Sequence, residues 1–239
     1  MTYCVAMALS QGLVFAADSR TNAGVDQIAT FRKLHKFQVP GERLIVMMTA
    51  GNLATTQSVL SLLRMRLHSD RPNLFGVTSL YEVATIVGAT SREVVSRDAG
   101  LGQGNVDFGS SFIVGGQING EAPRLFLVYP EGNFIECSRD TPYFQIGETK
   151  YGKPIIDRVV DFDTPLDSAA QCALLSLDST IRSNLSVGLP LDVLCYPADS
   201  FSDARHYNVD DQHEGFRALG EAWSRGLRDV FQTLPAMRW

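Results

Sequence analysis

A hydroxyl and an α-amine on one residue make a compact pair of nucleophile and base, and this chain offers such a pair at its start. Thr2 follows Met1, and a side chain as small as that of Thr in second place permits removal of the initiator methionine. The freed amine has an ordinary pKa of about 7.7–8.0, so a neutral fraction exists near pH 7 and can take the hydroxyl proton. Thr after Met is common, so the pair gains meaning only from its surroundings. Asp18 closes an apolar run in Ala16-Ala17-Asp18-Ser19-Arg20, Lys33 lies in Phe31-Arg32-Lys33-Leu34-His35-Lys36, and Gly51 follows Met47-Met48-Thr49-Ala50. If the first two apolar segments form a hairpin, the end of the second lies beside the start of the first, and Asp18 comes next to Thr2. A Lys on the adjoining strand can pair with Asp18 and hold positive charge near the Thr hydroxyl, favouring its deprotonation. Gly51, without a side chain at a helix N-terminus, can turn its N–H toward an oxyanion. Each residue also fits a plainer role: Asp18 as a cap of the Arg20 loop, Lys33 as a solvated strand residue, Gly51 as a helix start. Taken together at these spacings they describe acyl transfer that needs no cofactor.

The elements that must position these residues are legible from periodicity. Tyr3–Leu9 and Leu13–Ala17 read as two strands joined at Ser10-Gln11-Gly12, and Arg20–Thr30 as a polar loop. Phe31–Val39 and Arg43–Ala50 read as strands parted by Pro40-Gly41. Asn52–His68 and Leu80–Arg97 carry apolar residues at helical spacing. Ser111–Gln117 and Leu125–Tyr129 open a second β block, with Asn133–Cys137 and Tyr143–Ile146 extending it. Helices at Tyr151–Val160 and Pro165–Ser183, a strand at Leu191–Tyr196, and a polar tail ending in the amphipathic stretch Gly215–Phe231 complete the chain. Runs of strands alternate with pairs of helices, and no linker or repeat separates the halves. This order predicts an α+β fold: two sheets face to face with helix pairs outside each, a four-layer αββα sandwich forming a single domain over residues 1–239.

Composition excludes several function classes. Of 239 residues, 45% are hydrophobic and 20% charged, an ordinary globular balance. The formal charge of −5 without a Lys/Arg cluster argues against nucleic acid. No apolar run approaches the roughly 20 residues that span a bilayer, and the N-terminus lacks the pattern of a secretory signal, so a cytoplasmic location is expected. Cys4, Cys137, Cys172 and Cys195 stand far apart, three of them in apolar runs that suit buried reduced thiols. His35, His68, His206 and His213 have no metal-ligand spacing, and no metal is expected. Asp161, Asp163, Asp210 and Asp211 read as solvated acidic turns. Gly100–Gly104 follows no strand and so is no phosphate loop.

The segments TYCVA, GLVFAADSRTNAG, FRKLHKF, TAGN and RSNLSVGLPLD resemble the proteasome β-subunit superfamily of N-terminal-nucleophile (Ntn) hydrolases, which includes the HslV protease, and most of all its bacterial proteasome-like branch. The resemblance covers most of residues 2–200. It implies a threonine-type peptidase with Thr2 as nucleophile, Asp18 and Lys33 as its charged partners, Gly51 as oxyanion donor, and Arg20 supporting the loop after Asp18. Ser186 matches a serine that helps hold the N-terminal amine, and Thr21, Thr49 and Leu53 match positions lining a neutral, medium-sized specificity pocket. The family has an Asp three residues before that serine, where Ser183 stands here, and a Ser-Gly pair where Ile146-Gly147-Glu148-Thr149 stands, so Glu148 or Thr149 is expected to substitute in proton delivery. The implied substrate is a peptide or unfolded protein, and the implied assembly a homo-oligomer, ring or helical array, open to an ATP-dependent unfoldase. An amidase acting on a small amide would use the same machinery, and a weakly active or non-catalytic ring-forming subunit would share the fold.

Overall fold

In a computed structural model, residues 1–22, 28–99, 106–202 and 204–238 are described, the side chains of 21, 22, 28 and 29 excepted. The chain opens with the hairpin β1 (Tyr3–Leu9) and β2 (Gly12–Asp18), both buried at every position. Such burial requires that both faces of the hairpin be covered. Tyr3, Val5 and Met7 point to one face and join a core with residues of helix α4 (Leu166–Ser183), while Cys4, Ala6 and Phe15 point to the other and meet the second sheet. Strand β11 (Leu191–Pro197) runs antiparallel to β2 and divides its side chains between the same two cores.

The second sheet has the order β5-β6-β7-β8-β9, built from Leu34–Val39, Arg43–Gly51, Ser110–Ile118, Arg124–Val128 and Phe134–Glu136. Along β6, Leu44, Val46 and Met48 face the first sheet, while Ile45 and Met47 face helices α1 (Leu53–Arg66) and α2 (Leu80–Ala99). Helices α3 (Lys153–Val159), α4 and α5 (Glu214–Thr233) lie outside the first sheet. The layers are therefore α, β, β, α, and the sandwich expected from the element order is the observed fold.

Four placements differ from the sequence reading. The loop at 20–30 contains a two-stranded ribbon, β3 (Arg20–Asn22) with β4 (Ile28–Thr30). Lys33 precedes β5 rather than lying in it, although its carbonyl still accepts from Thr49 N. Strand β10 (Tyr143–Gly147) leaves the second β block and pairs with β1 at the edge of the first sheet, in the order β10-β1-β2-β11-β12 with β12 at Arg205–Val209. Strand β12 forms within the polar tail as the opposite edge. The Gly100–Gly104 segment lies outside the described residues. Cys4, Cys172 and Cys195 are buried, Cys137 is half-buried, and all four are free thiols.

Candidate active site

The hairpin register fixes the first contact. Cys4 is opposite Ala17, so the next pair outward brings Asp18 to the beginning of β1, where its Oδ1 accepts the N–H of Tyr3 at 2.9 Å. Asp18 is fully buried, and Lys33 is 5% exposed. The Lys33 ammonium donates to Asp18 Oδ1 at 2.7 Å, to the Arg20 carbonyl at 2.7 Å and to the Met1 carbonyl at 3.5 Å. Three donors with three acceptors leave the ammonium one orientation, which carries positive charge to the peptide that joins Met1 to Thr2. Burial pushes the Asp18 carboxyl up from its ordinary range, against the pull of Lys33 and the N–H groups of Tyr3 and Gly188.

Thr2 is half-buried and is held from the other side by β10. Its carbonyl accepts the Glu148 N–H at 2.7 Å. Gly147 makes this approach possible: at φ +84° a Cβ there would lie 2.0 Å from the Thr2 carbonyl oxygen. Gly51 ends β6 at φ +106°, where a Cβ would lie 2.5 Å from the Gly109 carbonyl. Its neighbour Asn52 caps α1, accepting from Thr55 N at 3.1 Å. Gly51 is thus a strained turn between a buried strand and a capped helix.

A cavity of about 930 Å³ opens beside Thr2, lined also by Lys33, Thr49, Gly51 and Leu53. Of the three residues expected in a specificity pocket, Thr49 and Leu53 line this cavity, and the side chain of Thr21 lies outside the described residues. Arg32, His35 and Arg64 line the same cavity, three basic residues that a neutral pocket does not contain. The His35 ring is pulled down to a pKa of about 4, by burial first and then by the Arg64 charge, and is neutral at pH 7.

Ser186 belongs to a loop docked on the site. Gly188 N is 3.4 Å from Asp18 Oδ2, and Arg20 Nη1 donates to the Leu185 carbonyl at 3.2 Å, so Arg20 reaches this loop rather than the one that follows Asp18. A Cβ on Gly188 would lie 2.2 Å from Arg20 Cζ, so glycine makes room for that guanidinium. Ser186 itself is anchored through its backbone N–H to Asn184 Oδ1 at 3.0 Å. Asn184, which sequence reasoning missed, reaches the chain start: its Nδ2 donates to Glu148 Oε2 at 3.0 Å and lies 3.9 Å from Met1 Sδ. Glu148 is 9% exposed, with Lys150 at 3.6 Å. The Glu148 backbone thus holds Thr2 while its carboxylate is bound by Asn184 and faces Lys150. Burial and the Lys33 charge pull the Met1 α-amine below its ordinary pKa, against Asp18. Among the described residues no cluster of metal-binding side chains occurs, and no helix is long and apolar enough to cross a membrane.

Comparison with known proteins places the chain in a family. The proteasome subunit family profile matches residues 2–193. No protein of curated function matches significantly. Among solved structures, the Anbu (ancestral beta-subunit) protein of Yersinia bercovieri is 59% identical over 100% of both chains, with a TM-score of 0.94. The Anbu complex of Pseudomonas aeruginosa, described as a helical assembly, is 56% identical over 99% of this chain and 98% of that one, with a TM-score of 0.96. A Gly-1 mutant of Anbu from Hyphomicrobium sp. strain MC1 is 51% identical over 100% of both, with a TM-score of 0.94.

Proposed function

The chain belongs to the proteasome subunit family, beside its Anbu members, and on that footing we propose that it is a threonine peptidase subunit whose nucleophile is Thr2, exposed by removal of Met1. The observation that carries this reading is the buried Asp18–Lys33 pair, with the ammonium directed at the Met1–Thr2 peptide on the wall of a cavity that also contains Gly51.

While Met1 is attached, the Thr2 nitrogen is an amide nitrogen with no basic lone pair. Once it is a free amine, the causes that lower the Met1 amine, burial and the Lys33 charge, act on it from one residue nearer. Against the pull of Asp18 they favour its neutral, basic form. The amine takes the Thr2 hydroxyl proton as Oγ attacks a peptide carbonyl, Lys33 lowers the energy of the forming alkoxide, and the Gly51 N–H receives the oxyanion. The protonated amine then passes its proton to the leaving nitrogen. An acyl ester on Thr2 remains, and water activated by the same amine releases it. Glu148, oriented by Asn184, holds the ammonium form in place. This is the role that the family gives to residues absent here, and Ser186 contributes through its loop.

Residues 1–239 form one domain on this reading, since Phe216 of α5 is buried in the same core as β1. The subunit works in a homo-oligomer, supported by the helical assembly of the Pseudomonas protein, on peptide or unfolded protein in the cytoplasm. An ATP-driven unfoldase is a partner that the family resemblance adds. The test is hydrolysis by protein beginning at Thr2. Turnover of peptides, absent in Thr2→Ala and weak on small amides, is expected. Turnover that survives Thr2→Ala, or is confined to small amides, contradicts the proposal, as does sedimentation of a lone subunit at micromolar concentration.

A further inference from the structure

The cavity beside Thr2 is positive in a chain whose formal charge is −5. Among the described residues its lining includes Arg32, His35 and Arg64 but no Asp or Glu. Lys33 is committed to Asp18. Neither Arg32 nor Arg64 forms an ion pair among the described residues. Among the described residues, two guanidinium groups therefore line the cavity without an ion-pair partner.

Arg64 is held in position. It lies on the face of α1 that runs along the cavity, eleven residues from Leu53 with Leu60 between them. Its Cζ stands over the Phe37 ring at 5.9 Å to the centroid, and its Nη2 lies 3.5 Å from His35 Nδ1. That contact holds the guanidinium and the His35 ring together at this end of the cavity. His35 stands two residues, roughly 7 Å of extended chain, beyond Lys33, within reach of one extended side chain. A second cavity of about 410 Å³ shares Ala50, Gly51 and Gly147 with the first and is edged by Asp107 and Glu131, without a basic residue. The sign of the charge reverses across the glycines beside Thr2.

We propose that the substrate residue seated in the first cavity carries a carboxylate, gripped by Arg64 and Arg32. The proposal rests on Thr2 as the reacting residue and names the class of substrate that residue meets. A charge-assisted, two-pronged guanidinium contact prefers glutamate to its uncharged isostere glutamine, because glutamine offers no charge to either arginine. Two sources supply the carboxylate: an acidic side chain within a peptide, or the free C-terminus of a short one.

Binding to the full-length Thr2→Ala protein, which cannot turn substrate over, separates these cases. The probes are end-blocked fluorescent hexapeptides with Glu, Gln or Lys scanned through each position, and the neutral set with a free C-terminus. At low salt the best Glu peptide should bind about tenfold tighter than its Gln twin, with the gap closing near 0.5 M salt. Arg64→Gln should erase the gap, Arg64→Lys restore part of it, and Arg64→Glu turn the preference toward Lys. A gain seen only with free C-termini would assign the carboxylate to the chain end. Equal affinity for all three end-blocked sets and for free and blocked termini would overturn the proposal, and so would a gap unchanged in the Arg32→Gln/Arg64→Gln double variant. Because the ratio needs no turnover, it stands if the Thr2 chemistry fails. Conversely, its failure leaves hydrolysis of neutral peptides untouched.

Discussion

Replacing Lys33 by alanine removes the charge next to Thr2 and strands a carboxylate in the interior. Asp18 is fully buried, and without the 2.7 Å contact to Lys33 it keeps only the Tyr3 N–H at 2.9 Å and the weaker Gly188 N–H at 3.4 Å. Breaking one side of a buried pair costs about 3–5 kcal/mol when the remaining charge must persist. Protonation relieves part of that cost, and this gives the effect a pH signature. Burial already raises the Asp18 carboxyl in the native state, and loss of Lys33 raises it further. A carboxyl whose folded pKa exceeds its unfolded value of about 3.9 binds more protons folded than unfolded, so stability falls as pH rises through that interval. Lys33→Ala should therefore lie closer to wild type at pH 5 than at pH 8 in urea unfolding. Adding Asp18→Asn removes the stranded charge and should recover most of the stability. Activity should behave differently: with no ammonium to favour the alkoxide, hydrolysis should drop about 10²–10⁴-fold in both the single and the double variant. A single variant as stable as wild type at pH 8 would refute the stranded-charge argument, and near-wild-type turnover in either variant would refute the assignment of Lys33 to the chemistry.

Two further outcomes follow from the same geometry. Glu148→Gln keeps the amide contact of Asn184 but removes the negative charge, so kcat should fall by about tenfold or more with KM little changed, as for a group that steadies the amine; loss confined to KM would place Glu148 in substrate binding instead. His35 titrates at about 4 in the folded chain and near 6.5 unfolded, so between those values the unfolded state binds the extra proton, and stability should decline by up to roughly 3 kcal/mol as pH falls from 6.5 to 4. In His35→Gln that slope should flatten, and an unchanged slope would mean the ring titrates normally.

How much of this could be read from the chain depended on whether each signal was local. The β1–β2 hairpin announces itself through two apolar runs around a Gly turn, and its register alone brings Asp18 to the start of β1. Lys33 and Gly51 sit at ends of buried segments, where their types are unexpected. By contrast, Tyr143–Gly147 has an ordinary strand pattern, and nothing in such a pattern says which sheet it will join; only its pairing with β1 reveals that Gly147 and Glu148 flank Thr2. Strand β12 escaped because it is a sheet edge, exposed at Arg205, His206, Tyr207 and Asn208, and so carries no hydrophobic alternation. Asn184 was passed over for Ser186 because its amide reaches Glu148 across a gap of 36 residues. The basic character of the cavity was hidden in the same way. Arg32 and His35 belong to the approach to β5 and to its first turn of sequence, and Arg64 to the far end of α1. Only the packing of that helix over the sheet brings them together.

The central claim is that Thr2 offers a hydroxyl and a free amine side by side. Peptide epoxyketones test it directly, because ring closure requires both nucleophiles on adjacent carbons of one residue. With protein shown by intact mass to begin at Thr2, the account predicts one adduct per active subunit, located on Thr2 by fragmentation, absent in Thr2→Ala, and unable to cyclise where Met1 is retained. An adduct on any other residue, or a cyclised adduct formed with Met1 still in place, would contradict it.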